Sequence, residues 1–210
     1  MSFQEGSALA TTSSRALKVD GRHLRSERTR LAIIEAYQEL LRRNSVMPTA
    51  VQIAEQAGCS VRSVFERFSD LDALSLATAD FTIAQGQAEA VARHVDGDRP
   101  TRIRSHVETR ARACEKWLPL WRIITNQDQV AELRTRVVLV RLANIERMKL
   151  MYRRELSSLP EAAADELLIA LAVLTSFESW DQMRHCHGLS TDAAQGIWRS
   201  AIDRMLPSGR

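Results

Sequence analysis

Turn-forming residues are scarce in this chain, with 8 glycines and 5 prolines in 210 residues, about half the combined share of an average soluble protein. So few tight turns argue against β-sandwiches, barrels and collagen-like repeats, which need Gly and Pro at close intervals. Lysine is nearly missing as well. Lys18, Lys116 and Lys149 are the only lysines among 29 cationic residues, the remainder being arginine. Arginine presents a rigid fork that meets phosphate and guanine bidentately, although codon bias accounts for most of these arginines equally well. A large excess of charge is also absent: the net is +3, so the chain cannot coat nucleic acid by bulk charge.

Cysteine is sparse. Cys59, Cys114 and Cys186 are odd in number and lack CxxC spacing, which leaves neither a disulfide framework nor a zinc ribbon, and no metal is expected. Long apolar runs are missing too. The longest, Leu167 to Leu174, is far short of the roughly 18 residues a bilayer span requires. The first residues, MSFQEGSALATTSSRALKVDGRH, are polar and Ser/Thr-rich, without the apolar stretch of a signal peptide. A cytoplasmic, reduced protein with no membrane partner is expected.

What is present is helical period. Residues 1–24 have little of it and are expected to form a mobile arm. Ile33, Ala36, Tyr37, Leu40 and Leu41 then follow the i, i+3, i+4, i+7, i+8 rule, predicting a first helix over about 25–43. Thr49 is placed to cap a short second helix that ends at Gly58. Ser60 caps a third, with Val61, Val64, Phe65 and Phe68 on one side. A fourth is expected over about 70–95, and Asp96-Gly97-Asp98-Arg99-Pro100 reads as a linker. Further helices are expected at about 101–118, 120–125, 128–157, 160–187 and 190–206, Pro160 suiting a first turn. No segment alternates with period two, so the chain reads as all-α with about nine helices. It divides into a 1–24 arm and two helical segments, 25–75 and 76–210.

Residues 49–68, TAVQIAEQAGCSVRSVFERF, place two short helices around a turn at Ala57-Gly58-Cys59. Neither can bury enough surface alone, so they must share a core with the first helix: Ile33, Tyr37, Leu40, Ile53, Ala54, Val64 and Phe68. Ala54 and Ala57 permit a close, steep crossing, the geometry of a helix-turn-helix. The third helix would then present Arg62, Ser63, Glu66 and Arg67 outward, at a size that fits the major groove. An ordinary helical hairpin with a solvated charged face is the alternative.

At this point the sequence resembles the TetR family of bacterial transcriptional repressors. The matching residues are Thr49, Ile53-Ala54, Ala57-Gly58-Cys59-Ser60, Ser63-Val64-Phe65, Arg67-Phe68 and Asp72-Ala73-Leu74. The register covers about 50 residues near the N-terminus of a chain of family length. Three departures stand out. Phe65 replaces a Tyr whose hydroxyl usually reaches phosphate, Leu71 replaces a phosphate-binding Lys, and Arg67 replaces a His or Tyr. Residues 22–70 carry eight Arg against six acidic residues, so the basic footprint must be a face rather than a domain-wide excess. Arg25, Arg28 and Arg30, with Lys18, Arg22 and His23 of the arm, are candidates to offset the losses. The resemblance implies phosphate contacts from Thr49 and Ser60, base-edge readout by Arg62 and Ser63, and Arg67 and Phe65 at the groove wall. Thr49 and Ser60 read equally as plain helix caps, and Phe65 as a core residue.

The last helices carry two apolar stripes, one of Ala194, Ile197, Trp198, Ala201, Ile202 and Met205, the other of Leu167, Leu171, Leu174, Phe177 and Trp180. Packed against their own copies they would form a twofold four-helix bundle, as in the family, with Leu171, Trp180, Ile197, Trp198, Ala201, Ile202 and Met205 as the expected homodimer contacts. The alternative is a purely intramolecular core. The middle helices are where the resemblance implies an effector pocket, with Trp117, Trp121, Leu142, Ile145, Met148, Tyr152, Leu174, Phe177 and Glu178 as lining candidates. Leu120, Leu139 and Met151 are further apolar candidates, and Asn144, Thr175 and Asp181 are candidates to orient a ligand. In such a protein a small-molecule effector would act on the DNA-binding helices through the fourth helix, releasing a pseudo-palindromic operator. His185-Cys186-His187 looks like a metal cluster, but consecutive helical residues diverge by about 100° and cannot converge on one ion.

Two other classes compete. A small helical enzyme would need a catalytic motif, and no phosphate loop, HExxH or GxSxG is found; neither enzymatic activity nor a cofactor is expected. A constitutive DNA-binding dimer without an effector would share the N-terminal motif.

Overall fold

The computed structural model describes residues 8–44, 46–126 and 131–208. Among the described residues there are ten α-helices, one π-helical stretch and no strand, the all-α architecture that a turn-poor chain with 3.6 periodicity predicts. In order they are α1 (Ala8–Asn44), α2 (Ala50–Ala57), α3 (Val61–Arg67), α4 (Leu71–Glu89), α5 (Arg99–Asn126), α6 (Ala131–Met151), α7 (Arg153–Leu156), α8 (Glu161–Leu174), α9 (Phe177–Asp181), the π stretch Gln182–Cys186, and α10 (Thr191–Met205). The chain divides into two compact units, Met1–Thr78 and Ala79–Arg210, with the boundary inside α4.

Several helix limits differ from the sequence expectation, each for a local reason. α1 begins at Ala8, not near Arg25, so the first helix extends back through residues 8–24. Ala, Leu and Arg are strong helix formers, and extending an existing helix fixes one residue per new hydrogen bond, which needs no apolar face. α5 runs through Pro119 without a break. Proline costs a helix about 3 kcal/mol, but Trp117, Leu118, Leu120 and Trp121 on either side of it are all buried, and that burial holds the helix together. The helix expected over 160–187 is cut at Thr175-Ser176. There Thr175 turns its hydroxyl back on the Leu171 carbonyl at 2.8 Å, and Ser176 caps α9 by accepting from the Ser179 N–H at 3.0 Å. Such side chains offer the backbone an alternative to helical bonding. α4 stops at Glu89, and the following Val91 is exposed, so no apolar burial carries the helix onward.

In the N-terminal unit, α1, α2 and α3 meet around Ile33, Tyr37, Leu41, Ile53, Ala54, Val64 and Phe68, all buried. Leu40, expected here, is half-buried at the rim, and Leu41 takes its place. Asp70 caps α4 by accepting from the Ala73 N–H at 2.7 Å, a bond that holds its carboxyl below the usual carboxylate range.

In the C-terminal unit, α5 is central and packs on α6, α9 and α10. Trp180 and Trp198, both fully buried, lie with ring centroids 4.7 Å apart. The Trp180 indole N–H donates to Glu115 Oε1 at 2.8 Å. At the start of α5, Arg102 donates to both carboxylate oxygens of Glu155 on α7, at 2.8 and 2.5 Å, and also to the Met151 carbonyl at 2.6 Å. Both side chains are almost wholly shielded, at 3% and 4% exposure. This fixes α7 onto α5 with a buried charge pair whose hydrogen-bonding capacity is largely satisfied.

Candidate nucleic-acid interface and ligand cavity

The helix-turn-helix is specified by caps. Thr49 and Gln52 form a reciprocal capping box at α2: the Gln52 N–H donates to Thr49 Oγ1 at 3.3 Å, and the Thr49 N–H donates to Gln52 Oε1 at 2.9 Å. Gly58 closes α2 in the left-handed region, at φ 65° and ψ 36°, where any Cβ would be strained. Its neighbour Cys59 donates its N–H back to the Ala54 carbonyl at 3.0 Å. Ser60 then caps α3, accepting from the Ser63 N–H at 3.1 Å. Ile53 and Ala54 of α2 and Val64 of α3 face inward.

The outward residues differ in how free they are. Arg62 is highly exposed at 87%, and its Nε donates to Glu66 Oε1 at 2.9 Å along the helix. Ser63 shares a hydroxyl–hydroxyl hydrogen bond of 2.9 Å with Ser60. Phe65 is 46% exposed, so it is not a core residue. Arg67 is largely covered: its Nε is buried without a hydrogen-bond partner among the described residues. Its carbonyl accepts from Arg30, whose guanidinium lies 4.4 Å from the Phe68 ring centroid. Arg25 and Arg28 on α1 are exposed, Arg25 donating to the Gly21 carbonyl at 3.1 Å. His23 is exposed beside Glu27. The Lys18 and Arg22 side chains lie outside the described residues.

The C-terminal unit encloses a cavity between α4, α5, α6 and α9, with mostly apolar walls. It has room for water-molecule centres over about 100 Å³, against roughly 10–15 Å³ for a single buried water. From α4 come Thr82, Ile83, Gly86 and Gln87; from α5, His106, Arg110, Ala113, Trp117, Leu120, Trp121 and Ile124; from α6, Arg136, Val137, Val140, Ala143, Asn144 and Arg147; from α9, Phe177. Trp121 and Phe177 stack with centroids 4.6 Å apart.

Its polar groups are few and unevenly partnered. Arg136 is paired with Asp80 by bonds of 2.8 and 2.9 Å. Arg110 donates to the Thr175 carbonyl at 2.7 Å and lies over the Phe177 ring at 4.5 Å. Arg147 makes no hydrogen bond or ion pair with the described residues, and burial together with the nearby Arg110 charge pulls its guanidinium below its ordinary value. His106 is buried, with Nδ1 2.6 Å from the Tyr152 hydroxyl and Nε2 without a hydrogen-bond partner among the described residues. Burial, reinforced by Arg110 and Arg147, pushes the His106 imidazole down to about 3, so it is neutral at physiological pH. Asn144 is buried, its Oδ1 also without a hydrogen-bond partner among the described residues.

Of the residues expected to line a pocket, Trp117, Trp121 and Phe177 do so, with Leu120 and Asn144. The others are elsewhere. Leu142 is 51% exposed. Met148 is fully buried in the core, and Tyr152, also fully buried, reaches the cavity only by way of His106. Ile145 and Leu174 are half-buried outside the lining. Glu178 is on the surface, accepting from the Trp121 indole at 3.1 Å and from Arg141 at 2.9 Å. The reason is helical phase. Apolar residues occur at nearly every angle around α6, so its sequence does not single out a face. The lining face is 136, 137, 140, 143, 144 and 147, not the 142, 145, 148 face. The α4 contribution and His106, Arg110 and Arg147 were missed for the same reason, since polar residues on an otherwise apolar face read as its edge.

The expected interface residues also sort into two groups. Leu171, Trp180, Trp198 and Ile202 are fully buried inside the single chain and offer no surface to a second copy. Ala201 is half-buried, and Ile197 and Met205 are exposed. Exposed alongside them on α8 are Ile169 at 59% and Val173 at 66%. His185 of the His-Cys-His run pairs with Asp181 at 2.9 Å, one turn earlier. Among the described residues no helix is long and apolar enough to cross a membrane.

No protein-family model matches this sequence. Nor does any curated protein. A solved structure does: that of a Rhodococcus sp. protein assigned to the TetR family of transcriptional regulators, at 17% identity and a TM-score of 0.66, over 85% of this chain and 99% of the other. With its capped helix-turn-helix followed by an all-helical unit, the chain has the TetR-family fold.

Proposed function

We propose that this chain is a TetR-type transcriptional regulator, a cytoplasmic homodimer that represses by binding a pseudo-palindromic operator and is released by a small hydrophobic effector. The observation that carries the reading is the N-terminal unit. A seven-residue helix is capped at both ends, held by a left-handed glycine turn, and presents Arg62, Ser63 and Phe65 to solvent. That geometry suits insertion of α3 in the major groove, with Arg62 at base edges and Thr49, Ser60, Arg25 and Arg28 at phosphates. Arg67, mostly covered, serves better as a support for the α1–α3 packing than as a groove contact.

Dimerisation is assigned to the exposed faces of α8 and α10, namely Ile169, Val173, Ile197 and Met205, rather than to the buried stripe. A twofold dimer suits a pseudo-palindromic operator, whose half-sites recur at roughly the 34–36 Å repeat of the duplex. The cavity supports an effector-responsive protein over a constitutive binder, and α4, which contributes residues to both units, is the element assigned to couple them. No enzymatic activity is proposed.

A gel shift with genomic fragments in excess competitor DNA tests the reading. A retained fragment whose binding is lost in Arg62→Ala supports it. Equal retention of all fragments, or none, overturns it.

A further inference from the structure

The cavity is charged in a way an apolar effector does not explain. Three arginines line it and no aspartate or glutamate does. Arg136 is compensated by Asp80. Arg110 spends its Nε on a neutral carbonyl and its face on Phe177. Arg147 has no partner among the described residues. Two half-buried guanidinium charges thus share a mostly apolar cavity, raising one another's cost, and a partly desolvated charge without a counter-ion is unfavourable.

Two neutral groups add to the pattern. The His106–Tyr152 bond can be made either way round. If Nδ1 carried the proton, the buried Tyr152 O–H would lack an acceptor and Nε2 would be an empty acceptor. If Tyr152 donates to Nδ1, the sole unmet need is the Nε2–H. The second arrangement leaves fewer buried groups unsatisfied, and it keeps a neutral His106 beside the two guanidinium charges. Asn144, on the same α6 face one turn before Arg147, carries an amide with an unpartnered oxygen.

We propose that the cavity takes an amphipathic carboxylate, an apolar body with a single anionic head, whose carboxylate binds Arg147 and Arg110. The inference rests on the effector reading above and narrows it from hydrophobic molecules to monoanionic ones. Trp117, Trp121, Leu120 and Ile124 hold the body. Arg147 is the residue that selects for charge, since its guanidinium is the only one of the three lining the cavity for which no hydrogen-bond acceptor is found among the described residues.

The test uses the full chain and matched probes: straight-chain carboxylates from hexanoate to dodecanoate and 4-phenylbutyrate, each against its primary amide. Quenching of tryptophan fluorescence reports occupancy, because Trp117 and Trp121 line the site. At least one carboxylate is expected to bind tenfold or more tightly than its amide, and Arg147→Met is expected to remove that preference while leaving amide binding within twofold. Arg136→Met, whose charge is already paired, should leave the preference in place. Amides binding as tightly as acids would overturn the proposal, as would an Arg147→Met chain that keeps the preference, or no binding by either series. Amides that bind and also release a retained DNA fragment would overturn the anionic assignment but leave the effector reading standing. Carboxylate binding through Arg147 in a chain that retains no DNA would do the reverse.

Discussion

Arg62 Nε donates to Glu66 Oε1 at 2.9 Å across one turn of α3. The side chain nominated for base readout is thus already engaged, with a carboxylate of its own helix. An exposed i,i+4 pair is worth about 0.3–0.5 kcal/mol, whereas a bidentate arginine–guanine contact is worth about 1–3 kcal/mol. The internal pair is therefore weak enough to yield to a better acceptor, as base readout by Arg62 requires.

Removing the guanidinium should affect sequence reading more than affinity for DNA in general. Arg62→Ala is expected to lower specific operator affinity by about 1–3 kcal/mol with an unchanged circular dichroism spectrum. Glu66→Gln should act oppositely, tightening binding to unrelated duplexes at low salt. Fluorescence anisotropy over a salt series measures both. An Arg62→Ala chain with wild-type operator affinity would remove Arg62 from the interface.

Glu155 carries a strong stability prediction. Burial raises its carboxyl, but the Arg102 hydrogen bonds outweigh this and hold it below the ordinary range. A depressed carboxyl stabilises the fold above its unfolded pKa, and that contribution disappears as pH falls through the folded value. Glu155→Gln leaves the Arg102 charge buried without its counter-ion and should cost about 3–5 kcal/mol in urea unfolding at neutral pH. Replacing both residues with Met should recover most of the loss. A Glu155→Gln chain within about 1 kcal/mol of the parent would contradict the burial of the pair.

His106 gives a separate pH signature. The folded state resists protonation down to about 3, against 6.5 for a free imidazole, so between those values the unfolded chain binds one proton more. Stability is complete above the unfolded value and falls by about 1.4 kcal/mol per pH unit as pH drops through that window. His106→Gln should remove this slope while the carboxylate contributions persist. The comparison is the difference in urea midpoint between the two chains across mildly acidic pH.

The two apolar groups on the last helices should separate by experiment. Ile169→Glu with Val173→Glu is expected to shift the sedimentation coefficient from dimer to monomer without unfolding the chain. Trp198→Ala should instead destabilise the protomer by about 3–5 kcal/mol, because its side chain is fully buried within it. A monomer produced by Trp198→Ala at full stability would reverse this division.

Cysteine reactivity is a simple check on the packing of α5. Cys114 is fully buried, and burial pushes its thiol up to about 11, whereas Cys186 is exposed. A thiol reagent at mildly alkaline pH should label Cys186 within minutes and Cys114 only on unfolding. Peptide mapping distinguishes them.

The local elements were legible in the sequence because their determinants are local. Thr49, Gly58 and Ser60 act on the backbone within three or four residues, so caps and turn could be placed without knowing the rest of the fold, and α2 and α3 followed. Helix interruptions were less legible where two local tendencies compete: Pro119 is overridden by burial on both sides, whereas Thr175-Ser176 prevails over an apolar run.

The N-terminal core was also set by the sequence, since two short helices packed on one long one have few ways to hide Ile33, Tyr37, Ile53, Val64 and Phe68. Which face of α6 meets the cavity was left to tertiary structure. With apolar residues at nearly every angle, only the neighbours decide, and they turned Val137, Val140 and Arg147 inward and Leu142 outward. The same holds for the apolar stripes of α8 and α10, where packing within one chain claimed Leu171, Trp198 and Ile202 and left Ile169, Val173 and Ile197 uncovered. Periodicity shows that a helix has an apolar side. Which apolar side chains end up facing protein, cavity or solvent depends on distant segments, and no local pattern encodes that.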